Sequence, residues 1–114
     1  MTAVPVGARL EHSAPIFAAL GDPTRLQLVA RLCTGGPQSI AGLTAGSHVT
    51  RQAITKHLVV LADAGLVSGM RRGREKLWRI EVARLEDTRR FLDSISQQWD
   101  QALSRLKTLV EDER

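Results

Sequence analysis

At 114 residues, with 43% hydrophobic and 25% charged positions, the chain has the size and balance of one small globular domain. No apolar run approaches the ~20 residues of a membrane span, the opening residues lack the apolar core of a secretory signal, and a single cysteine excludes an internal disulfide; together these point to a reducing cytoplasm. The net charge is +4, and an aromatic content of 4% with no Tyr leaves too few rings to stack the bases of a single strand.

Residues 1–12 carry no clear period and are expected to be loosely ordered. Ser13 is placed to cap a short helix through Ile16, Phe17 and Leu20, with Pro15 tolerated in its first turn and Gly21 as its stop. Asp22-Pro23 restarts a helix with a carboxylate at the cap and Pro at the first helical position. Leu26, Val29 and Leu32 are expected to line its buried side, with Leu28 flanking them, and Thr34-Gly35-Gly36-Pro37 ends it. Ser39 then opens a short helix bearing Ile40 and Leu43, closed by Ala45-Gly46-Ser47.

The stretch from Thr50 to Val67 carries the strongest signal. Ile54, Leu58 and Leu61 follow the i, i+4, i+7 spacing of a helix with one buried stripe. Thr50 is placed as its N-cap, and Gly65 sits where a left-handed residue would end it. The remaining face carries Arg51, Gln52, Thr55, Lys56 and His57, expected with Thr50 to contact DNA; these side chains can donate to phosphates, and Arg and Gln can also pair bidentately with base edges. A hairpin turning around Gly73 follows directly, with Trp78 and Ile80 on one face by the period of two and Arg71, Arg72, Arg74 and Lys76 about its tip. Helix, turn, helix and basic hairpin is the order of a winged helix-turn-helix, in which the second helix enters the major groove and the wing lies along the backbone or minor groove. Charge agrees with this. Between Thr50 and Arg79 seven basic side chains (Arg51, Lys56, Arg71, Arg72, Arg74, Lys76 and Arg79) face only Asp63 and Glu75. That segment therefore carries +5, and the rest of the chain sums to −1.

From about Leu85 to Val110 the chain has neither Gly nor Pro. Leu92, Ile95, Trp99, Ala102, Leu106 and Leu109 alternate steps of three and four, and Phe91, Leu103 and Val110 widen the stripe. So long an apolar face exceeds what a small wing domain needs for its own core. It predicts a packing surface for a second copy, formed with the Ser13–Leu20 helix through Ile16, Phe17, Leu92, Ile95, Trp99, Leu103, Leu106 and Leu109. The expected organisation is a loosely ordered segment over 1–12, a winged helix-turn-helix DNA-binding domain over 13–84, and a dimerisation helix over 85–114. The fold class is mainly α with a small β-hairpin wing.

Four motifs in combination, Asp22-Pro23-Thr24-Arg25-Leu26, Thr50-Arg51-Gln52-Ala53-Ile54-Thr55-Lys56-His57-Leu58, Leu61-Ala62-Asp63-Ala64-Gly65-Leu66-Val67 and Gly73-Arg74-Glu75, resemble the ArsR-type winged-helix repressors, over roughly Pro15 to Ile80. The Trp99-bearing helix is similar to the terminal dimer helix of one branch. The resemblance implies a homodimer that binds double-stranded DNA at an imperfect palindrome and represses transcription, often of its own operon, under an effector the sequence leaves unidentified.

Many members of that family sense metals. The usual thiol pair would lie on the first helix of the helix-turn-helix, here Gln38-Ser39-Ile40-Ala41-Gly42-Leu43-Thr44, which has no cysteine. The terminal helix has Asp93 and Asp100 but no His for the alternative site. Cys33 alone cannot supply three or four soft ligands and is expected to be a half-buried structural thiol. His12 and His48 carry no ligand pattern, and His57 is expected on the DNA or phosphate side of its helix, the alternative being a local structural hydrogen bond. No metal site and no cofactor are expected. Nor is an enzyme, since no nucleophile–base order, carboxylate pair or phosphate-cradling glycine loop is present. Two readings from different classes remain: a dimeric sequence-specific repressor, or a winged-helix module whose basic wing docks an acidic protein.

Overall fold

The computed structural model describes residues 6–112. Five helices and one hairpin follow in the order α1 (Val6–Leu20), α2 (Pro23–Gly35), α3 (Ile40–Thr44), α4 (Arg51–Asp63), β1 (Val67–Arg72), β2 (Glu75–Ile80) and α5 (Val82–Asp112).

The caps decide most of the boundaries. Asp22 is extended (φ −130°, ψ 132°), and its side chain accepts from the Arg25 N–H at 3.0 Å while Pro23 fills the first helical position. Ser39 accepts from Gly42 N–H and Thr50 from Ala53 N–H, each at 3.1 Å. At the end of α4, Gly65 takes φ +83°. Its N–H reaches Ala62 O at 2.9 Å, and the next N–H, of Leu66, reaches back to Leu61 O at 3.0 Å. Together these close the pattern that satisfies the last carbonyls of a helix.

The first helix begins earlier than the sequence suggested. Residues 6–12 are helical, and Ser13 is a buried residue inside α1, with Pro15 accommodated further along. Ser13 is therefore no N-cap. Its local preference yields to a helix whose inner side, Ile16 and Ala19, continues into the core. The expectation for residues 1–5 lies outside the described residues.

In α2 the buried side is Leu28, Val29 and Leu32, and Leu26 is 53% exposed. The sequence reading had these roles turned by one step. Arg25, one turn before Leu28 and Val29, lies on the inner side and donates to Ala19 O of α1, while Leu26 falls on the outer side. Cys33, one residue beyond Leu32, is exposed rather than half-buried.

The core is a single cluster in which Leu43, Ile54, Leu58, Leu61 and Leu66 are completely or almost completely shielded, joined by Ile16, Ala19, Val67 and Trp78. It binds α3 to α4 in the helix-turn-helix and seats both on α2. The hairpin pairs Val67 with Ile80 and Arg72 with Glu75, so Gly73 and Arg74 form a two-residue turn. Gly73 has φ +65° there, the geometry of a primed turn that matches the strand twist. Trp78 also exchanges both backbone hydrogen bonds with Gln38 (3.0 and 2.8 Å), so the α2–α3 link fixes the root of the hairpin.

The last helix runs from Val82 to Asp112, beyond both expected ends. Only Thr88 and Phe91 are buried along it. Its second half leaves the body of the protein, so the molecule extends over 67 × 38 × 20 Å with a radius of gyration of 18.6 Å. A compact chain of this length would have about 13 Å.

Candidate nucleic-acid interface

Thr50 sits immediately before the first turn of α4, with Arg51 and Gln52 as the first two helical residues. Arg51, Gln52, Thr55 and Lys56 are all exposed, on the side of α4 away from the buried Ile54, Leu58 and Leu61. The Thr55 hydroxyl donates to Arg51 O at 2.8 Å, so its methyl and its lone pairs are what remain for a ligand. Gln52, one turn before Lys56, keeps an amide with both donor and acceptor directed to solvent.

The structure turns His57 the other way. It stands three residues after Ile54, inside the stripe that Ile54, Leu58 and Leu61 define, and its side chain is only 24% exposed. Its Nδ1 accepts from Arg25 Nη1 at 3.3 Å and lies 4.0 Å from Asp22 Oδ2. The expectation of a DNA-side histidine is thus corrected: a polar residue at i+3 of a buried stripe lies on the inner side of its helix.

On the hairpin, Arg71, Arg72 and Arg74 are exposed around the tip. Among the described residues neither they nor Arg51 and Lys56 take part in an ion pair. Arg79 does, against Glu81 at 3.8 Å, so its charge is partly compensated. Lys76 stays in the exposed set, but its stem runs across Gly69 and its ammonium lies 4.6 Å from the centre of the Trp78 ring. That cation–π contact gives the inner edge of the wing a fixed positive group.

Two arginines with no assigned role in the sequence reading hold this surface together. Arg31 donates from Nη1 to Leu43 O (2.5 Å) and from Nη2 to Gly42 O (3.0 Å), tying the open carbonyls at the end of α3 to α2. Arg25 donates from Nε to Ala19 O at 2.5 Å while its own N–H caps on Asp22. The Arg25 N–H, and after it the Arg25 guanidinium charge, hold the Asp22 carboxyl below the ordinary carboxylate value, outweighing partial burial. Arg25 was visible in the sequence as the third residue after a cap; its side-chain contacts were not, because they lie 6 and 32 residues away.

The expected dimer-face residues divide. Ile16 is 1% exposed and belongs to the protomer's own core, so it cannot line a face for a second copy; it sits one turn before Ala19 on the inner side of α1. Phe17 is half-buried, its ring 5.9 Å from that of Phe91. Ile95 is half-buried, whereas Leu92, Trp99, Leu103, Leu106 and Leu109 are exposed. Among the described residues no group of three or more His, Cys, Asp or Glu converges as a metal site would require, and no helix is long and apolar enough to cross a membrane.

Comparison with known proteins agrees with this geometry. Residues 20–69 match a family model described as a helix-turn-helix domain. The chain is 33% identical to the HTH-type transcriptional regulator Rv2034 of Mycobacterium tuberculosis, over 85% of this chain and 87% of that protein. It is 41% identical to the uncharacterized HTH-type transcriptional regulator YuzN of Bacillus subtilis, over 54% of this chain and 74% of that protein. Among solved structures, an ArsR-like transcriptional regulator from Rhodococcus sp. RHA1 superimposes with a TM-score of 0.73 at 39% identity, covering 93% of this chain and 96% of that one. The helix-turn-helix and the overall fold are thus shared with known regulators, and the chain belongs to the ArsR-type winged helix-turn-helix transcriptional regulators, DNA-binding proteins without enzymatic activity.

Proposed function

We propose that this chain acts as a homodimeric repressor that reads an imperfect palindrome in double-stranded DNA. The observation that carries the reading is the pairing of two uncommitted surfaces on one chain: a basic, amide-bearing face on α4 and wing, and an apolar stripe along α5 that the protomer leaves uncovered. In this arrangement Arg51, Gln52 and Thr55 meet base edges in the major groove, and Lys56 meets a phosphate. Arg71, Arg72, Arg74 and Lys76 follow the backbone or the adjacent minor groove. Two copies joined through α5, with Phe17 and the outer side of α1 beside it, would set the two α4 helices in successive major grooves ~34 Å apart.

Relatives lend support. The solution structure of Mb0332 from Mycobacterium bovis is described as a homodimeric winged helix-turn-helix DNA-binding domain. SmtB of Mycobacterium tuberculosis, 32% identical over 71 residues, is named a transcriptional repressor. The absence of a cysteine from α3 and of a histidine from α5 favours a signal other than a metal, acting in the cytoplasm. The test is a gel shift with the DNA upstream of the gene, run across a salt series, together with sedimentation of the free protein. A retarded band that survives an excess of random duplex, from a protein that sediments as a dimer, is the expected result. A monomer at tens of micromolar, or binding that random duplex abolishes, would exclude it.

A further inference from the structure

The helix that carries the reading face is seated on the protein almost entirely by aliphatic groups. Ile54, Leu58 and Leu61 enter the core, and among the described residues His57 is the one α4 side chain in polar contact with another element. Apolar burial sets which side of α4 faces the core, but being non-directional it defines the helix's rotation about its own axis less finely than a hydrogen bond does. A hydrogen bond is directional, and its strength falls steeply with angle. The group that supplies it is itself anchored. Arg25 is fixed through its backbone N–H on Asp22 (3.0 Å) and through Nε on Ala19 O in the last turn of α1 (2.5 Å), before Nη1 reaches His57 (3.3 Å).

We infer that Arg25 is a positioning residue for the reading helix: it fixes the rotation of α4 through a hydrogen bond to an uncharged His57, so that discrimination between operator and random DNA depends on this contact and falls when His57 takes up a proton. The inference rests on α4 being the helix that reads bases. Arg25 has no lone pair to offer, so His57 Nδ1 must accept and the ring must carry its hydrogen on Nε2. A second proton would go onto Nδ1, directly towards the guanidinium. The acceptor would vanish, like charges would face each other, and Asp22 Oδ2, now 4.0 Å away, would become the better partner.

The other surroundings do not compete. Residues 13–20 of α1 and residues 40–44 of α3 contain no charged side chain, and the charged residues of β1, Arg71 and Arg72, stand at the far tip. Arg51, Lys56 and Asp63 of α4 and Glu11 of α1 are exposed to solvent, and Arg31 of α2 is engaged on the carbonyls of Leu43 and Gly42. Protonation therefore exchanges a ring held by Arg25 for one drawn to Asp22. The rotation of the reading face is then held by the buried stripe alone.

The experiment uses a duplex selected from a random pool by the wild-type protein, with a scrambled duplex as reference, and records the ratio of the two affinities by fluorescence anisotropy at fixed salt between about pH 7.5 and pH 5.5. Using the ratio cancels the general gain in phosphate attraction as the protein becomes more positive. The wild-type ratio is expected to fall about three- to tenfold towards the acid end, the range one hydrogen bond spans. His57→Asn, whose amide oxygen replaces Nδ1 as acceptor without titrating, should hold the high ratio at both ends. His57→Leu should show the low ratio throughout, while binding the scrambled duplex as the wild type does. Circular dichroism melts verify that each variant is folded, and His57→Asn alone suffices for the decision if His57→Leu is not. Equal pH dependence in the wild type and His57→Asn would overturn the inference, as would a wild-type ratio that does not change with pH. Gln52→Ala separates the two levels of argument. If it lowers the ratio while His57→Leu does not, only the role of Arg25 and His57 fails; if it leaves the ratio unchanged, α4 does not read bases and both readings fall.

Discussion

Replacing Gln52 and Arg74 separately with Ala should weaken DNA binding in two different ways, and the difference follows from where the structure puts them. Gln52 is the second residue of α4, exposed, and the amide closest to the capped end of the helix. Its neighbour Thr55 has already spent its hydroxyl proton on Arg51 O, so Gln52 is the uncharged side chain on this face able to give and accept at once, as adenine N7 and N6 require. A bidentate pair of this kind discriminates against the wrong base by about 1–3 kcal/mol, or roughly 5- to 150-fold for each half-site. Random DNA offers no matching edge in register, so Gln52→Ala should leave that affinity nearly unchanged. Arg74 occupies the second position of the wing turn, exposed and outside any ion pair among the described residues. Its partner is a phosphate, present on every sequence. Arg74→Ala should therefore weaken operator and random duplex alike, and lower the slope of log affinity against log salt by ~0.9 per subunit.

Anisotropy titrations against both duplexes, at four or five salt concentrations, measure both quantities in one experiment. If Gln52→Ala reduces operator and random binding by the same factor, the outer face of α4 is not a reading face. If Arg74→Ala changes affinity without changing the salt slope, the wing does not neutralise a phosphate there.

The structure makes further quantitative demands. Leu58→Ala removes a side chain with no exposure from the junction of α4 with the core, and should cost about 2–5 kcal/mol in urea unfolding; a loss under about 1 kcal/mol would mean that the site collapses around the gap. Because the folded protein depresses the Asp22 carboxyl, this group contributes stability above the ordinary carboxylate value and loses it as pH falls through the depressed one, so Asp22→Asn should give a shallower decline of stability in acid, read from melts on both sides of that range. Trp99→Glu combined with Leu106→Glu places charge on two exposed positions of the α5 stripe and should yield folded monomers by sedimentation that bind half-sites only weakly; a dimer surviving the pair would show that the stripe is not the joining surface.

Most of the architecture was legible because it is written in short-range physics. Caps at Asp22, Ser39 and Thr50, the left-handed Gly65 and Gly73, and the period-two burial of Trp78 and Ile80 each need only a few neighbouring residues to be recognised. What was misread depended on long-range contact. The burial of Ser13 follows from the packing of α1 into the core, which no local signal encodes. The partners that Arg25 holds, the Ala19 carbonyl of α1 and His57 of α4, lie 6 and 32 residues away, so no local signal announces them. His57 could have been placed correctly from spacing alone, since it falls between Ile54 and Leu58 on the inner stripe. The chemical prior that a histidine beside Lys56 belongs with the basic face was the weaker guide. On the candidate interface, residue types identified the surface, and backbone geometry decided which of them face out.

Under the dimeric reading, the same contacts explain why a protein that reads DNA at two points would be built with so little core. A palindrome tests the distance and the angle between two helices, so the path from the joining surface to the reading helix must be stiff. That path is short here. Phe91 of α5 packs on Phe17 of α1 with ring centres 5.9 Å apart; two residues on, the Ala19 carbonyl holds Arg25; and Arg25 holds His57 on α4. Each link joins consecutive elements of the path through one aromatic or hydrogen-bonded contact, and none passes through the wing. A change at α5 or α1 then reaches the reading helix through Arg25 and through the core that Ile16 and Ala19 share with α4, whereas a change in the wing alters affinity without altering the spacing of the two half-sites. A binding-site selection with Phe17→Ala would distinguish these consequences: it should broaden the preferred half-site spacing, and Arg74→Ala should leave that spacing as it was.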